Sequence, residues 1–214
     1  MSIAIASIVE GHAEVDSVPI LLRRIFAHLG DSHIQVARPF RVKRNRVVKP
    51  DELERAISQT IRDRDNVGGI MVLMDSDDDC PAELGPQLVD RAKKATQLPV
   101  SVILAQREFE CWFLGSKESL RGINGIPEDA IAPLNPESIR GAKEHLTRNM
   151  ARGRKYLEVD AQATFAEKFD LNTARRYCPS FDKFFREAEH LLQLLNPTPV
   201  SPTSSRRGVK RGPF

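Results

Sequence analysis

A chain of 214 residues with 41% apolar side chains can bury a sizeable core, and a formal charge of +3 is too small for the whole body to act as a polycation. No apolar run reaches bilayer-spanning length and the N-terminus lacks the basic segment and apolar core of a secretion signal, so a cytoplasmic, membrane-free protein is expected. Cys80, Cys111 and Cys178 are odd in number and widely spaced, with no Cys-x-x-Cys pair and no His at zinc-ligand spacing, which points to free thiols.

In chain order, Ser2–Val9 reads as a first strand, and Glu10-Gly11 follow directly, placing a carboxylate where a strand ends and the chain turns. Gly11 suits either a positive φ or a close backbone approach. Glu14 opens a helix whose apolar stripe, Val18, Leu21, Leu22, Ile25, Phe26 and Leu29, stops at Gly30. An acid at that position is also what the helix macrodipole favours. His33–Val42 is a second extended segment. A helix is expected from about Pro50 to Arg64, with Pro50 suited to its first position and Leu53, Ile57 and Ile61 on one face.

Gly68-Gly69 lead into a third strand that begins at Ile70 and runs into Asp75-Ser76-Asp77-Asp78-Asp79, four carboxylates within five residues and no Lys or Arg until Arg91. Ligands of open α/β sheets collect at the carboxyl ends of strands. Crowded carboxylates repel by several kcal/mol per close pair at intermediate effective dielectric, roughly, unless a cation or protons relieve them. A divalent metal is the simplest relief; the plainer alternative is a solvated acidic loop in which Asp79 caps the next helix. On an extended chain Asp75 and Asp77 share a side and Asp78 points away, so the first two are expected to share the cation.

Leu84, Leu88, Ala92 and Ala95 predict a helix over Pro81–Thr96, and Leu98–Ala105 a fourth strand. The fold class expected is therefore α/β, a mainly parallel four-stranded sheet flanked by helices over residues 1–107. Residues 108–195 read as a helical extension packed on that core. In Arg107-Glu108-Phe109-Glu110-Cys111-Trp112-Phe113 the aromatics suit packing, while Glu110, deep among apolar neighbours, needs a partner or a metal. Residues 115–136 are punctuated by Gly and Pro, where a mobile substrate loop is an option. Helices are expected at Glu137–Met150, Asp160–Phe169 and Ser180–Leu195, the last with Ser180 as N-cap. From residue 196 onward, Pro, Ser, Thr and basic residues predict a disordered basic tail.

Charge is unevenly spread. Residues 1–195 hold 28 basic and 29 acidic groups, whereas Arg38–Lys49 has six basic residues and no acid. Arg41, Lys43, Arg44 and Arg46 could track a phosphate backbone, or could belong to an edge strand protected by its charges. Arg152, Arg154 and Lys155, next to Arg148, form a second basic stretch that could meet phosphate or a carboxylate.

Val9-Glu10-Gly11 after the first strand and Asp75-Ser76-Asp77 after a later one resemble the TOPRIM domain of topoisomerases, primases and OLD-family nucleases. Glu10-Gly11-His12-Ala13-Glu14, Arg107-Glu108-Phe109-Glu110-Cys111-Trp112 and Cys178-Pro179-Ser180-Phe181 are similar to a small bacterial TOPRIM-like family of unknown function, whose members can neighbour ATPase and defence genes. The resemblance covers about residues 1–195. It implies a Mg²⁺ or Mn²⁺ site at Glu10, Asp75 and Asp77, with Glu14 and Glu110 as further ligands or supports, and hydrolysis of DNA or RNA phosphodiesters. An AAA/ABC-type ATPase partner in bacterial defence or DNA repair is implied with it. Hard carboxylate oxygens suit those metals on chemical grounds alone.

Strand passage is not expected, since the only tyrosines, Tyr156 and Tyr177, lie in the helical extension. Two alternatives stand. One is a non-catalytic TOPRIM-like subunit that binds nucleic acid or docks on an ATPase. The other is a haloacid-dehalogenase-like phosphatase with Asp75 as nucleophile and Asp77 as acid. A calcium loop matches less well than either, because Cys80 stands where Gly is needed and Pro86 where the closing Glu belongs.

Overall fold

The computed structural model describes residues 3–196. Its centre is a parallel sheet in which β1 (Ala4–Val9) and β4 (Val67–Asp75) are neighbours, with β5 (Val100–Ala105) beyond β4. The other flank of β1 carries β2 (Gln35–Val36) and β3 (Phe40–Arg41). The second extended segment is thus two short pieces, each pairing with a different half of β1, and the sheet has five strands where four were expected. Every pairing is parallel, as crossover helices require.

Side-chain alternation sends the sheet into two cores. Ile70, Val72 and Met74 of β4, with Ile8, Val102 and Leu104, meet α3 (Glu52–Arg62) and α4 (Pro81–Ala95). Met71 and Leu73, with Ile5, Val9, Ile103 and Ala105, meet α1 (Glu14–His28) on the opposite face. A period of two continued to the end of β4 places Asp75 on the Met71 and Leu73 face. That face also carries the extension: α5 (Cys111–Gly115), α6 (Ala142–Arg148), α7 (Glu158–Lys168), α8 (Leu171–Tyr177) and α9 (Pro179–Leu195). Phe109, Trp112, Phe113, Phe165, Phe169, Phe181, Phe184 and Phe185 share one buried cluster with the residues of α1.

Several local expectations change. A short α2 (Arg44–Val47) occupies the middle of the basic ribbon. The helix expected at Glu137–Met150 is only α6, and α8 was not foreseen. Ser180 is not an N-cap: Cys178 is, because Pro179, lacking an N–H, fits the first helical position. Ser180 instead receives the Trp112 indole N–H at 2.8 Å and donates to Glu137. Asp79 likewise caps nothing, since Cys80 is the N-cap of α4. Residues 115–136 are anchored by Leu120, Ile126 and Ala130 in the core. The basic tail expected beyond residue 196 lies outside the described residues.

No helix among the described residues is long and apolar enough to cross a membrane. The three cysteines are free, Cys80 exposed and the other two buried.

Candidate functional site

Two carboxylates come from the ends of adjacent strands: Glu10 directly after β1, and Asp75 as the last residue of β4. Asp75 is 6% exposed, and its Oδ1 accepts the Phe109 N–H at 2.7 Å, so it is fixed against the chain that leaves β5. Glu14, the first residue of α1, folds its side chain backwards. Its Oε2 accepts the Glu10 N–H at 3.1 Å and the Gly11 N–H at 3.2 Å. A Cβ on Gly11 would stand 2.9 Å from Glu14 Oε1, so glycine serves here for close approach and not for positive φ. Glu14 is 5% exposed, which goes beyond a first-turn acid held by the macrodipole.

Glu110 completes the group and is fully buried. Its Oε1 accepts the Tyr156 hydroxyl at 3.0 Å and the Gln162 amide at 3.1 Å. Gln162 in turn accepts the Ser17 hydroxyl at 2.8 Å, which ties the network to α1. The Lys143 ammonium lies 3.9 Å from Glu110 Oε2, too far for a hydrogen bond, and 2.8 Å from Glu158. Glu10 Oε2 and Glu110 Oε2 are buried with no hydrogen-bond partner.

The electrostatics follow from the crowding. Burial, followed by the charges of Glu110, Glu14 and Glu10, holds Asp75 well above the usual carboxylate range. Burial pushes Glu14 and Glu110 each up to about 7. Glu10 is raised by burial and then by Asp77. Lys143 is lowered by burial, but Glu110 and Glu158 more than offset this and leave it above its ordinary value. With Lys143 and, at Glu10, Arg44 as the cations that act on four carboxylates, protons or a further cation must relieve the group.

Asp77 and Asp78 are exposed, unlike this buried set, although the charge of Asp77 reaches Glu10. The strand ends at Asp75 and Asp77 has φ 50°, so the extended alternation does not reach it. Asp77 is 58% exposed and pairs with Arg44 at 3.3 Å. Arg44 also donates to the carbonyls of Asp75 at 2.9 Å and Ser76 at 3.1 Å, and pairs with Asp79. Asp78 faces the other way, to Arg107 at 3.5 Å and Arg140 at 2.5 Å. Arg107 has φ 61°, and its carbonyl accepts the Asp77 N–H at 3.0 Å while its own N–H donates to Ser76 Oγ at 2.7 Å. Two left-handed non-glycine residues therefore interlock across the ends of β4 and β5, the kind of strain that collects at functional sites.

Of the basic residues singled out, Arg41 donates to the Glu10 carbonyl at 3.4 Å, and Arg46 pairs with Glu52 at 2.7 Å. Lys43 is exposed. Arg152, Arg154 and Lys155 are exposed on the connection between α6 and α7. Lys143, Glu158, Tyr156 and Gln162 were not assigned to the site from sequence, because each reaches it from the extension and nothing in their spacing marks them.

Among the described residues, no group of three or more His, Cys, Asp and Glu side chains is arranged to hold a metal ion. The four neighbouring carboxylates are the donor type that a hard divalent cation takes, and the buried oxygens among them without a hydrogen bond belong to Glu10 and Glu110. Residues 9–189 match the family described as Domain of unknown function (DUF4276). No curated protein and no solved structure matches the chain. With the match covering most of its length, the chain belongs to the DUF4276 family.

Proposed function

We propose that this DUF4276 member hydrolyses phosphodiester bonds of nucleic acid with Mg²⁺ or Mn²⁺ held at Glu10 and Asp75, supported by Glu14 and Glu110. The observation that carries the reading is the buried, cation-poor carboxylate group at the carboxyl ends of two adjacent parallel strands, with an unpartnered oxygen on Glu10 and another on Glu110. The resemblance of Val9-Glu10-Gly11 and Asp75-Ser76-Asp77 to TOPRIM motifs supports the same chemistry. When bound, the cation would polarise a phosphoryl oxygen and acidify a water.

The chain's own residues divide the remaining work. Glu10, half-buried and raised in pKa, takes the proton from the attacking water. Glu14 orients Glu10 through the two N–H groups it grips, and Tyr156 and Gln162 orient Glu110. Asp77 joins the site if Arg44 releases it on binding substrate. Lys143 sets the negative charge of the group one unit lower, and Arg107 and Arg140 place positive charge beside the acidic loop. An AAA/ABC-type ATPase, as the resemblance implies, would present or remodel the substrate.

The test is incubation of purified protein with plasmid, single-stranded DNA and RNA in Mg²⁺, Mn²⁺ or EDTA. Metal-dependent cutting that Glu10→Gln and Asp75→Asn each abolish supports the reading. Cutting retained by both variants places the active site elsewhere. Binding without cutting, even with an ATPase partner present, favours a non-catalytic binding subunit.

A further inference from the structure

The basic ribbon is one wall of a groove whose other wall lies outside it. In α3, Glu52, Arg55, Gln59 and Arg62 recur at three- and four-residue steps and share the face opposite the buried Leu53 and Ile57. That face closes against Arg41, Lys43 and Arg46 to form a groove of about 420 Å³. Its lining holds five cationic side chains and one carboxylate, Glu52, which Arg46 and Arg55 share at 2.7 and 3.3 Å. Arg62 meets only the neutral Gln59, at 2.8 Å, and Lys43 has no ion pair among the described residues.

Four positive charges are thus left uncompensated around a lining that includes Phe40, Val42 and Ala56. Val42 and Ala56 belong to the core on this side of the sheet, and Phe40, half-buried against that core, is the apolar side chain the groove presents. Arg41 links the groove to the edge of the carboxylate site. Phe40 and Arg41 pair in register with Ile8 and Val9 of β1, and Arg41 donates to the carbonyl of Glu10.

We infer that this groove seats a single-stranded segment of nucleic acid, phosphates on Arg41, Lys43, Arg55 and Arg62 and a base or sugar against Phe40, and delivers it to the carboxylate group. The substrate class rests on the phosphodiester reading above. A duplex keeps its bases stacked inside and shows the protein its phosphates, which leaves Phe40 unmet. A single strand offers both parts, as in cationic channels with aromatic platforms.

The experiment is fluorescence anisotropy of a labelled oligothymidylate with the full chain in EDTA, across a salt series. Arg55→Gln/Arg62→Gln should weaken binding by roughly tenfold or more near 0.1 M salt and lower the slope of log K against log salt by about 1.4. Arg55→Lys/Arg62→Lys should restore most of the affinity. Lys93→Gln/Lys94→Gln, exposed on α4, should change nothing. Phe40→Leu should weaken oligothymidylate severalfold without affecting inorganic polyphosphate.

Wild-type affinity and slope in the Arg55/Arg62 glutamine variant overturn the inference. So do equal weakening by the Lys93/Lys94 variant, preference for duplex, or displacement by polyphosphate as effective as by oligothymidylate. The same oligonucleotide with Mg²⁺ separates the two readings. Binding through Arg55 and Arg62 without cutting leaves the groove and removes the hydrolase, whereas cutting by a protein whose binding ignores those arginines does the reverse.

Discussion

Glu110 is the side chain at which the candidate site should set stability against the proposed activity. Its carboxylate is fully buried, holds Tyr156 and Gln162 on one oxygen, and leaves the other without a hydrogen bond. Glu110→Gln keeps an acceptor for both donors and removes the buried charge. In EDTA near pH 8 the variant should melt roughly 5 °C above wild type, read by differential scanning calorimetry, while losing metal-dependent cutting. Near pH 5 the difference should shrink, because the folded-state carboxyl is then protonated and no longer carries a buried charge.

The pH dependence of the wild type has the same origin. Glu14 and Glu110 are raised from 4.5 to about 7 in the folded chain, so between those values the native state binds more protons than the unfolded one. That contribution to stability is fully present below about pH 4.5 and is lost as pH rises through about 7. Metal-free protein should therefore melt lower near pH 8 than near pH 5.5, and Mg²⁺ should narrow the gap. Asp78→Ala, which removes only exposed contacts to Arg107 and Arg140, should leave cutting within about twofold.

At the scale of elements, the acidic loop is held in place from the side. Arg44 bridges two carbonyls and two carboxylates of residues 75–79, and Arg91 of α4 holds the carbonyls of Val47, Val48 and Lys49 while pairing with Glu54 at 2.7 Å. Arg91→Ala should cost about 2 kcal/mol in urea denaturation, since three carbonyls and a half-buried carboxylate lose their donor. Gly115 ends α5 against Cys178, and a Cβ there would stand 2.3 Å from the Cys178 Sγ. Gly115→Ala should destabilise by about 1–3 kcal/mol in the same assay, because both sides of the contact are fully packed.

Long periodic elements were legible in the sequence: α1, α3, α4 and α9 lie within a few residues of their apolar stripes, and β1, β4 and β5 follow their apolar runs. Short ones were not. β2, β3 and α2 are two to four residues each, held by pairing to β1 and by Arg91, and tertiary support of that kind leaves no periodic trace. Glu10, Glu14, Asp75 and Glu110 could be picked out because strand ends and buried acids have sequence signatures. The grouping of Asp77 with Asp75 assumed an extended chain, which the positive φ of Asp77 breaks.

For the whole molecule, the site exists only because the helical extension closes over one face of the sheet. Glu110, Tyr156, Gln162 and Lys143 all arrive from residues 108–168, and the aromatic cluster they border is continuous with α1. Residues 1–107 alone would expose the parts of α1, β4 and β5 that α7 and α9 cover, and should give a poorly dispersed amide NMR spectrum. The measurement closest to the central claim is calorimetric titration of Mn²⁺ into the metal-free full chain near pH 8, without nucleic acid. A saturable site in wild type that disappears in both Asp75→Asn and Glu10→Gln, with each variant still folded by its melting curve, is the predicted result. Undiminished Mn²⁺ binding in those variants, or none in wild type, would contradict a cation site at the ends of β1 and β4.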